Sequence, residues 1–333
     1  MRPTSGSAIY RPDLGIAVLE FAEGTTMNFI GLELMPLFPT AKNASTYPVI
    51  PKEALLKLID VDRAPRGNYK RDDFEYERGQ YQTAEKGTEE PVDDTERDLF
   101  DEESQGLCDL VATRRAWSRI LRAQEKRIAA KVQDSSRFTA HNLTNEWDDA
   151  ANATPIDDVK DAILAFRLQC GMLPDGLQIN FKQFMNVKRC DQVVDQLKYT
   201  FPGIDLTNLL PQQLAQVLGV PRVWVGGAVY DATGKGLTAD VTDIWSDEYA
   251  CLIKVADRLD MMAPGFGRTF LWTADSPQNP IVESYREEQT RSDILRVRHH
   301  VDESLMCSTN DTGAVVSDIA AACHYLIGNV TTI

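Results

Sequence analysis

The sequence predicts a mixed α+β protein with extended limbs, and three observations predict it. The stretch Ser104 to Asp134 at the centre of the chain reads as one long amphipathic helix. Residues 154–275 interleave helical periodicity with short apolar runs, the pattern of a compact α/β unit. The segments around residues 1–48 and 49–92 hold apolar residues but no periodicity that would build a core of their own.

The central stretch contains no Pro and a single Gly, Gly106 near its start. Leu107, Leu110, Val111, Trp117, Leu121, Ile128 and Val132 return to one helical face. Arg114, Arg115, Arg119, Arg122, Lys126, Arg127 and Lys131 fill much of the remainder. At 1.5 Å per residue such a rod is on the order of 45 Å long, enough to span a domain. Directly before it stands an acidic block that includes Glu85, Glu89, Glu90, Asp93, Asp94, Glu96, Asp98, Asp101, Glu102 and Glu103. Adjacent blocks of opposite charge have the makings of docking one copy's acidic segment, through Asp93, Asp94, Glu96 and Asp98, on another copy's Arg114, Arg115, Arg119 and Arg122.

A chain of 333 residues, 43% hydrophobic and 26% charged, can bury a substantial core, and its length points to about two domains. No apolar run approaches the roughly 20 residues that cross a bilayer, and the N-terminus has no signal-like apolar core. The expectation is therefore a non-exported chain, in which the triplets at Asn43, Asn142, Asn152, Asn310 and Asn329 are chance matches to a glycosylation signal. A net charge of −15 speaks against sequence-reading nucleic-acid binding, which needs a basic footprint. It leaves room for a container wall, which encloses nucleic acid without gripping it. Cys108, Cys170, Cys190, Cys251, Cys307 and Cys323 form no CxxC pair and read as reduced, buried thiols.

Taken in order, residues 1–48 read as an extended arm, with turn-forming Tyr10-Arg11-Pro12-Asp13 and the proline-interrupted Met35-Pro36-Leu37-Phe38-Pro39. Its Phe29, Ile30, Leu32, Leu34 and Phe38 need an apolar surface, either on the same chain or on a neighbour. Residues 49–92 read as a long hairpin with arms at about Ala54–Asp62 and around Tyr69, Phe74, Tyr76 and Tyr81, turning at Arg63-Ala64-Pro65-Arg66-Gly67-Asn68. Thr154-Pro155-Ile156-Asp157 opens a helix that Gly171 closes, with Thr154 as the cap and Val159, Ile163, Phe166 and Cys170 on its face. A strand over Leu177–Phe181, a helical stretch through Val187, Val194 and Leu197, a helix from Pro211 to Gly219 and a strand over Arg222–Val225 follow. Near the end, Leu295, Val297, His299 and Val301 alternate with Arg296, Arg298 and His300, the signature of a strand with one polar face. This strand is expected to return onto the long helix, with His324–Ile327 pairing close to it.

Catalytic signatures are missing from the sequence. Gly226 to Gly236 lacks the glycine spacing of a phosphate loop and reads as a turn between strands. His141, His299, His300 and His324 show no metal-binding spacing, and His299 and His300 point to opposite faces of a strand. A thiol or hydrolase-type enzyme would have to work through Cys307, Cys323 or His324. The reading is of a non-enzyme with no cofactor and no metal.

The order of these parts resembles the major capsid proteins of tailed bacteriophages, with the Hong Kong 97-type fold. Tyr10-Arg11-Pro12-Asp13 and Asn28-Phe29-Ile30 before Leu37-Phe38-Pro39 look like the family's N-arm, and Arg63-Ala64-Pro65-Arg66-Gly67 like the tip of its extended loop. Glu90-Pro91-Val92-Asp93-Asp94 is similar to the passage from that loop to the spine helix. The most telling pieces are Trp147-Asp148-Asp149-Ala150-Ala151-Asn152-Ala153-Thr154-Pro155-Ile156-Asp157-Asp158-Val159 and Ser284-Tyr285-Arg286-Glu287-Glu288-Gln289-Thr290-Arg291-Ser292-Asp293. The resemblance implies an N-arm over 1–48, an extended β-hairpin loop over 49–100, a peripheral domain with its spine helix over 101–153, an axial α/β domain over 154–275, and returning peripheral strands with the C-terminus over 276–333. It implies hexamers and pentamers closing an icosahedral shell around double-stranded DNA in a virion assembled in the host bacterial cytoplasm. It also implies a portal at one vertex and allows a decoration protein. Because the arm begins almost at Met1, a separate scaffolding protein is expected. Phe29, Ile30, Phe38, Arg63, Arg66 and Tyr69 become candidate contacts between subunits, beside the charged residues named above. A nanocompartment shell of the same fold, enclosing protein cargo, is the alternative.

Overall fold

The computed structural model describes residues 7–15, 29–52, 56–58, 60–63, 65–71, 77–100, 107–200, 209–234, 236–310 and 314–331. One helix and two sheets organise them. The helix, Leu107–Val132, runs 26 residues, about 39 Å at the standard rise. Its buried side includes Ala112, Ala116, Trp117, Ile120, Leu121, Ile128, Ala129 and Val132, the spacing of a single face. Leu107 and Val111 were expected on that face but are 42% and 46% exposed. The small Ala112 and Ala116 take the inward positions instead, which lets the helix approach the strands beneath it.

Each half of this spine helix covers a different sheet. Ala112, Ala116, Trp117, Ile120 and Leu121 pack on Val92, Val282, Leu295 and Val297 of a six-stranded sheet. Ile128, Ala129 and Val132 pack with Cys251, Ile253 and Leu326 of a five-stranded sheet. The opposite face of that second sheet, through Ala250, Leu252 and Ile327, buries helices Pro155–Cys170, Asp191–Thr200 and Pro211–Leu218. Successive strand residues point to opposite faces. With both faces covered, Gly176–Asn180 and Ala250–Ile253 are buried along their whole length.

The long strand Ser292–Leu305 is the axis of the six-stranded sheet. Ala84–Asp93 lines one side of it, antiparallel, from Ser292↔Asp93 to Val301↔Ala84. Ile281–Glu287 and Gly267–Trp272 divide the other side. Leu295 and Val297 face the spine helix, as the alternation requires. His324–Gly328, expected near this strand, pairs instead in the five-stranded sheet, between Ala250–Ile253 and Ala140–Asn142. It has almost no exposed residue, so it suits a sheet that is covered on both sides.

The N-terminal arm threads along this frame in short pieces. Ile9–Tyr10 adds to the edge of Ile281–Glu287, and Leu37–Thr40 runs parallel to Gly267–Trp272. The hairpin differs from expectation. Its paired arms are Ala44–Val49 and Glu77–Gln82, so the outgoing strand crosses the boundary placed at 48/49. Ala54–Asp62 shows no strand among its described residues, and its Lys57, Asp60 and Asp62 leave it no apolar face to bury. The outgoing strand that does form buries Tyr47 and Val49 beside Tyr81, which stacks on Phe270 at 4.2 Å. Phe74 and Tyr76 lie outside the described residues.

The local helix signals hold. Pro155 stands in the first turn of Pro155–Cys170, and Gly171 closes it at φ 75°. Thr154 occupies the cap position without a capping hydrogen bond. Its hydroxyl turns to Asp158 instead, the carboxylate that also accepts Trp147 Nε1 at 3.0 Å. Gly219 ends Pro211–Leu218 at φ 74°. The 226–236 stretch leads from Val223–Gly226 into a hairpin of Val229–Asp231 with Val241–Asp243.

Candidate assembly surface

The acidic block divides into residues engaged within the chain and residues facing out. Asp94 pairs with Arg286 at 2.7 Å, and Arg286 also reaches Asp293 at 3.0 Å. Those two carboxylates hold the Arg286 guanidinium still more firmly charged than usual. Arg97, on the short helix Asp94–Phe100, bonds Asp109 at 2.7 Å and Asp293 at 3.0 Å, and all three are buried. Glu90 accepts from Arg119 and lies 3.9 Å from Arg115. Asp93 is held below the usual carboxylate range by the hydroxyl and N–H of Thr95. Glu96, Asp98 and the 73%-exposed Leu99 face solvent on the short helix.

The expected arm contacts find partners on their own chain. Ile30 is 3% exposed in the spine-helix core. Phe29 packs against the cluster under the first half of that helix. Phe38 meets Phe270 edge-on at 6.0 Å and lies beneath Arg268. Within one copy, then, the described arm is seated on its own domain, so Ile30 has no surface left for a neighbour.

Among the described residues of the extended loop, Leu56 reaches Gly171, while others stand open. Leu58 is 97% exposed, Val61 84% and Tyr69 72%. Arg63 lies over the Tyr69 ring, and Arg66 takes φ 66° at the turn. The spine helix offers the second open surface. Val111, Arg114, Arg115, Ser118, Arg119 and Arg122 line a shallow groove along its outer side, and Arg122 bonds Ser118. One chain thus carries exposed apolar and basic loop residues, an acidic short helix and a basic helix face.

Two features were not foreseen from the sequence. Glu303, 2% exposed, accepts from Arg127 at 2.7 Å and Lys86 at 2.8 Å beneath the spine helix. Burial alone would raise its carboxyl, but those two cations outweigh burial and hold it at about 2. Glu125, 3% exposed, accepts N–H bonds from Ile30, Gly31 and Trp245. Only the alternation of carboxylates with apolar residues on inward faces could have signalled either.

The chemistry considered for Cys323 and His324 has no geometry here. His324 lies between Phe138 and Phe266 at 4.4 and 4.9 Å, and burial pushes it down to about 3. Burial pushes the Cys323 thiol up to about 12, far from the thiolate a nucleophile needs. His299 and His300 do face opposite sides, His299 toward Trp117 and His300 toward Trp272. None of the six cysteines is in a disulfide, and Cys108 and Cys307 are only partly buried. Among the described residues no group of three or more His, Cys, Asp or Glu could hold a metal ion, and no helix is long and apolar enough to cross a membrane.

Superposition on solved structures decides the architecture. A phage-related protein from Bordetella bronchiseptica RB50 matches over 97% of this chain and 98% of its own, with a TM-score of 0.69 at 21% identity. The capsid of cyanophage P-SCSP1u matches over 89% and 86%, with a TM-score of 0.55 at 7% identity. The chain has the Hong Kong 97-type capsid fold. A virus-like particle from Pyrococcus furiosus shares this capsid fold over 95% of this chain and 98% of its own, with a TM-score of 0.51 at 11% identity. In sequence, the chain is 26% identical over 278 residues to the major capsid protein of Burkholderia phage BcepMu, covering 82% of this chain and 86% of that one. No family model matches the sequence. The likeness read from the arm, loop and spine segments is therefore a likeness to phage major capsid proteins.

Proposed function

We propose that this protein is the major shell subunit of a tailed-phage head. Copies form hexamers and pentamers that close an icosahedral shell around packaged double-stranded DNA, and they assemble in the bacterial cytoplasm with a separate scaffolding protein and a portal at one vertex. The observation that carries this reading is a capsid fold over 89% of the chain, with Leu58, Val61 and Tyr69 of the extended loop left exposed. Apolar limbs of this kind are stable only where another surface covers them. Expressed with its scaffold and viewed by negative-stain microscopy, the protein gives closed shells or capsomers. A monodisperse monomer at every concentration and salt tried would overturn the reading.

Contacts between copies follow from the open charges. Asp94 and the Glu90–Arg119 pair are engaged within the chain, so the acidic side of the contact is Glu96 and Asp98, and the basic side is Arg122 and the largely exposed Arg115 of the next copy. Pairs of this kind set register and salt sensitivity more than affinity. Arg115→Glu with Arg122→Glu is expected to block assembly while leaving the unassembled chain folded by circular dichroism. Normal shells from that variant refute the pairing. The fold is also that of a virus-like particle from Pyrococcus furiosus, and the second reading of such a fold is a nanocompartment shell around protein cargo. Nuclease-protected DNA in purified particles separates the two.

A further inference from the structure

The six-stranded sheet beneath the spine helix ends in an open rim. Ala84–Asp93 pairs on one side only, with Ser292–Leu305. In an antiparallel ladder, alternate residues turn their backbone N–H and C=O toward the partner strand and the others turn theirs away. The Asp94 N–H continues this ladder to Arg291 O at 3.3 Å. The even-numbered residues of the strand therefore face Ser292–Leu305 and the odd-numbered ones face out. Pro91 falls in the outward set, where its missing N–H takes nothing from the ladder. The N–H and C=O groups of Glu85, Gly87 and Glu89 line the rim, with no backbone partner among the described residues.

Charge and shape restrict what this rim accepts. Val92 packs under the spine helix, so the odd-numbered side chains lie on the far face of the sheet, beside Arg296 and Arg298. Glu89 and Glu283 meet Arg296, while Glu85, Glu283 and Asp275 meet Arg298, so four carboxylates share two guanidiniums. The surplus is negative, and the side chains of Glu85 and Glu89 are 59% and 44% exposed. Pairing with the same rim of a second copy would set glutamate against glutamate, a device that keeps like edges apart. Between the two glutamates, Gly87 holds the surface low: a Cβ there would stand 2.8 Å from Arg298 Cβ and from Val297 O. A bare backbone position flanked by carboxylates suits a basic strand with an aromatic ring at its middle.

The extended loop carries such a segment. Residues 67–71, Gly67-Asn68-Tyr69-Lys70-Arg71, belong to no strand and hold two cations and no carboxylate. Lys70 is engaged by Asp60, while Arg71 is exposed and has no ion pair among the described residues. In an extended backbone Tyr69 and Arg71 fall on one face. We propose that residues 67–71 of one copy add as an antiparallel strand to the open rim of Ala84–Asp93 on a neighbouring copy. Tyr69 then covers Gly87, and the antiparallel register brings Arg71 opposite Glu85. The contact rests on the reading of the chain as a shell subunit and names the surface that receives its loop.

Two measurements on shells of the full-length chain, assembled with its scaffold, test the contact. Hydrogen exchange of the peptides covering 67–71 and 84–90 is expected to slow at least about tenfold from free chain to shell, since both gain ladder bonds. In the double variant Arg71→Cys with Glu85→Cys, oxidised glutathione is expected to link copies into a ladder on a non-reducing gel. Opposite residues of paired strands hold their Cβ atoms about 5 Å apart, close to disulfide range. Neither single variant should link in this way. Shells in which 84–90 exchanges as in the free chain, or in which the double variant links no more than the single ones, overturn the strand addition and leave the shell reading standing. A parent chain that forms neither shells nor capsomers overturns both. Should the double variant fail to assemble, exchange in the parent shells decides.

Discussion

Three buried side chains contribute to the acid response of the single chain between pH 6.5 and 4.5. His299 and His324 are held neutral, pushed by burial down to about 4 and about 3. Arg127 and Lys86 add to the depression of His299. Unfolded histidines bind a proton below about 6.5, so each contributes stability that is whole above that pH and drains away as pH falls toward its folded value. Glu125 acts in the opposite sense, since its folded carboxyl takes up a proton near 7 and its unfolded one only near 4.5. Between pH 6.5 and 4.5 the unfolded chain therefore binds two extra protons at the histidines and the folded chain one at Glu125. One net proton gives a slope of about 1.4 kcal/mol per pH unit, with stability falling as acid is added. Urea titrations of the unassembled chain at pH 6.5, 5.5 and 4.5 are expected to show that slope. A flat profile would mean that the two rings are solvated.

At the scale of elements, the best-read parts of the chain were those whose signals are local. Pro155 with Gly171 and Pro211 with Gly219 bracket their helices through steric preferences of single residues. The two phrases that most resemble the phage family are now explained as fasteners. Trp147 bonds Asp158 across the first turn of a helix, and Arg286 holds Asp293 and Asp94 together. What the sequence hid was pairing between distant segments. Ala44–Val49 finds its partner in Glu77–Gln82, beyond the whole loop, and His324–Gly328 finds one far upstream. The hairpin pairing also depends on one glycine. At Gly79 a Cβ would come within 2.2 Å of the ring of Tyr47, which is 1% exposed and has nowhere to swing. Gly79→Ala is expected to cost about 1–3 kcal/mol by overpacking. Hydrogen exchange should show the loss concentrated in Ala44–Val49 and Glu77–Gln82, with the spine helix still protected. Unchanged protection in those strands would show that the ring has room.

Across the whole molecule, the arm's described apolar residues from Ile30 onward are largely buried, while Leu58, Val61 and Tyr69 of the loop stand open. The arm from Phe29 to Val49 lies on its own domain through Ile30, Leu34, Met35 and Tyr47. Of the two surfaces open to the arm, its own chain supplies one, while the exposed loop residues remain the candidates for contact with a neighbour. The two limbs should respond differently to substitution. Cutting an arm contact removes buried surface from the single chain, whereas Val61 and Tyr69, at 84% and 72% exposure, bury little to lose. Exposed substitutions away from special features shift stability by about 0.5 kcal/mol or less. The double change Val61→Asp with Tyr69→Ala is thus expected to leave the thermal midpoint of the unassembled chain in place and to abolish closed shells. Such a split ties the loop to contacts between copies, because a folding defect would move both readouts together. If shells form as before, the loop is a dispensable flourish of this chain and its cover must be sought elsewhere.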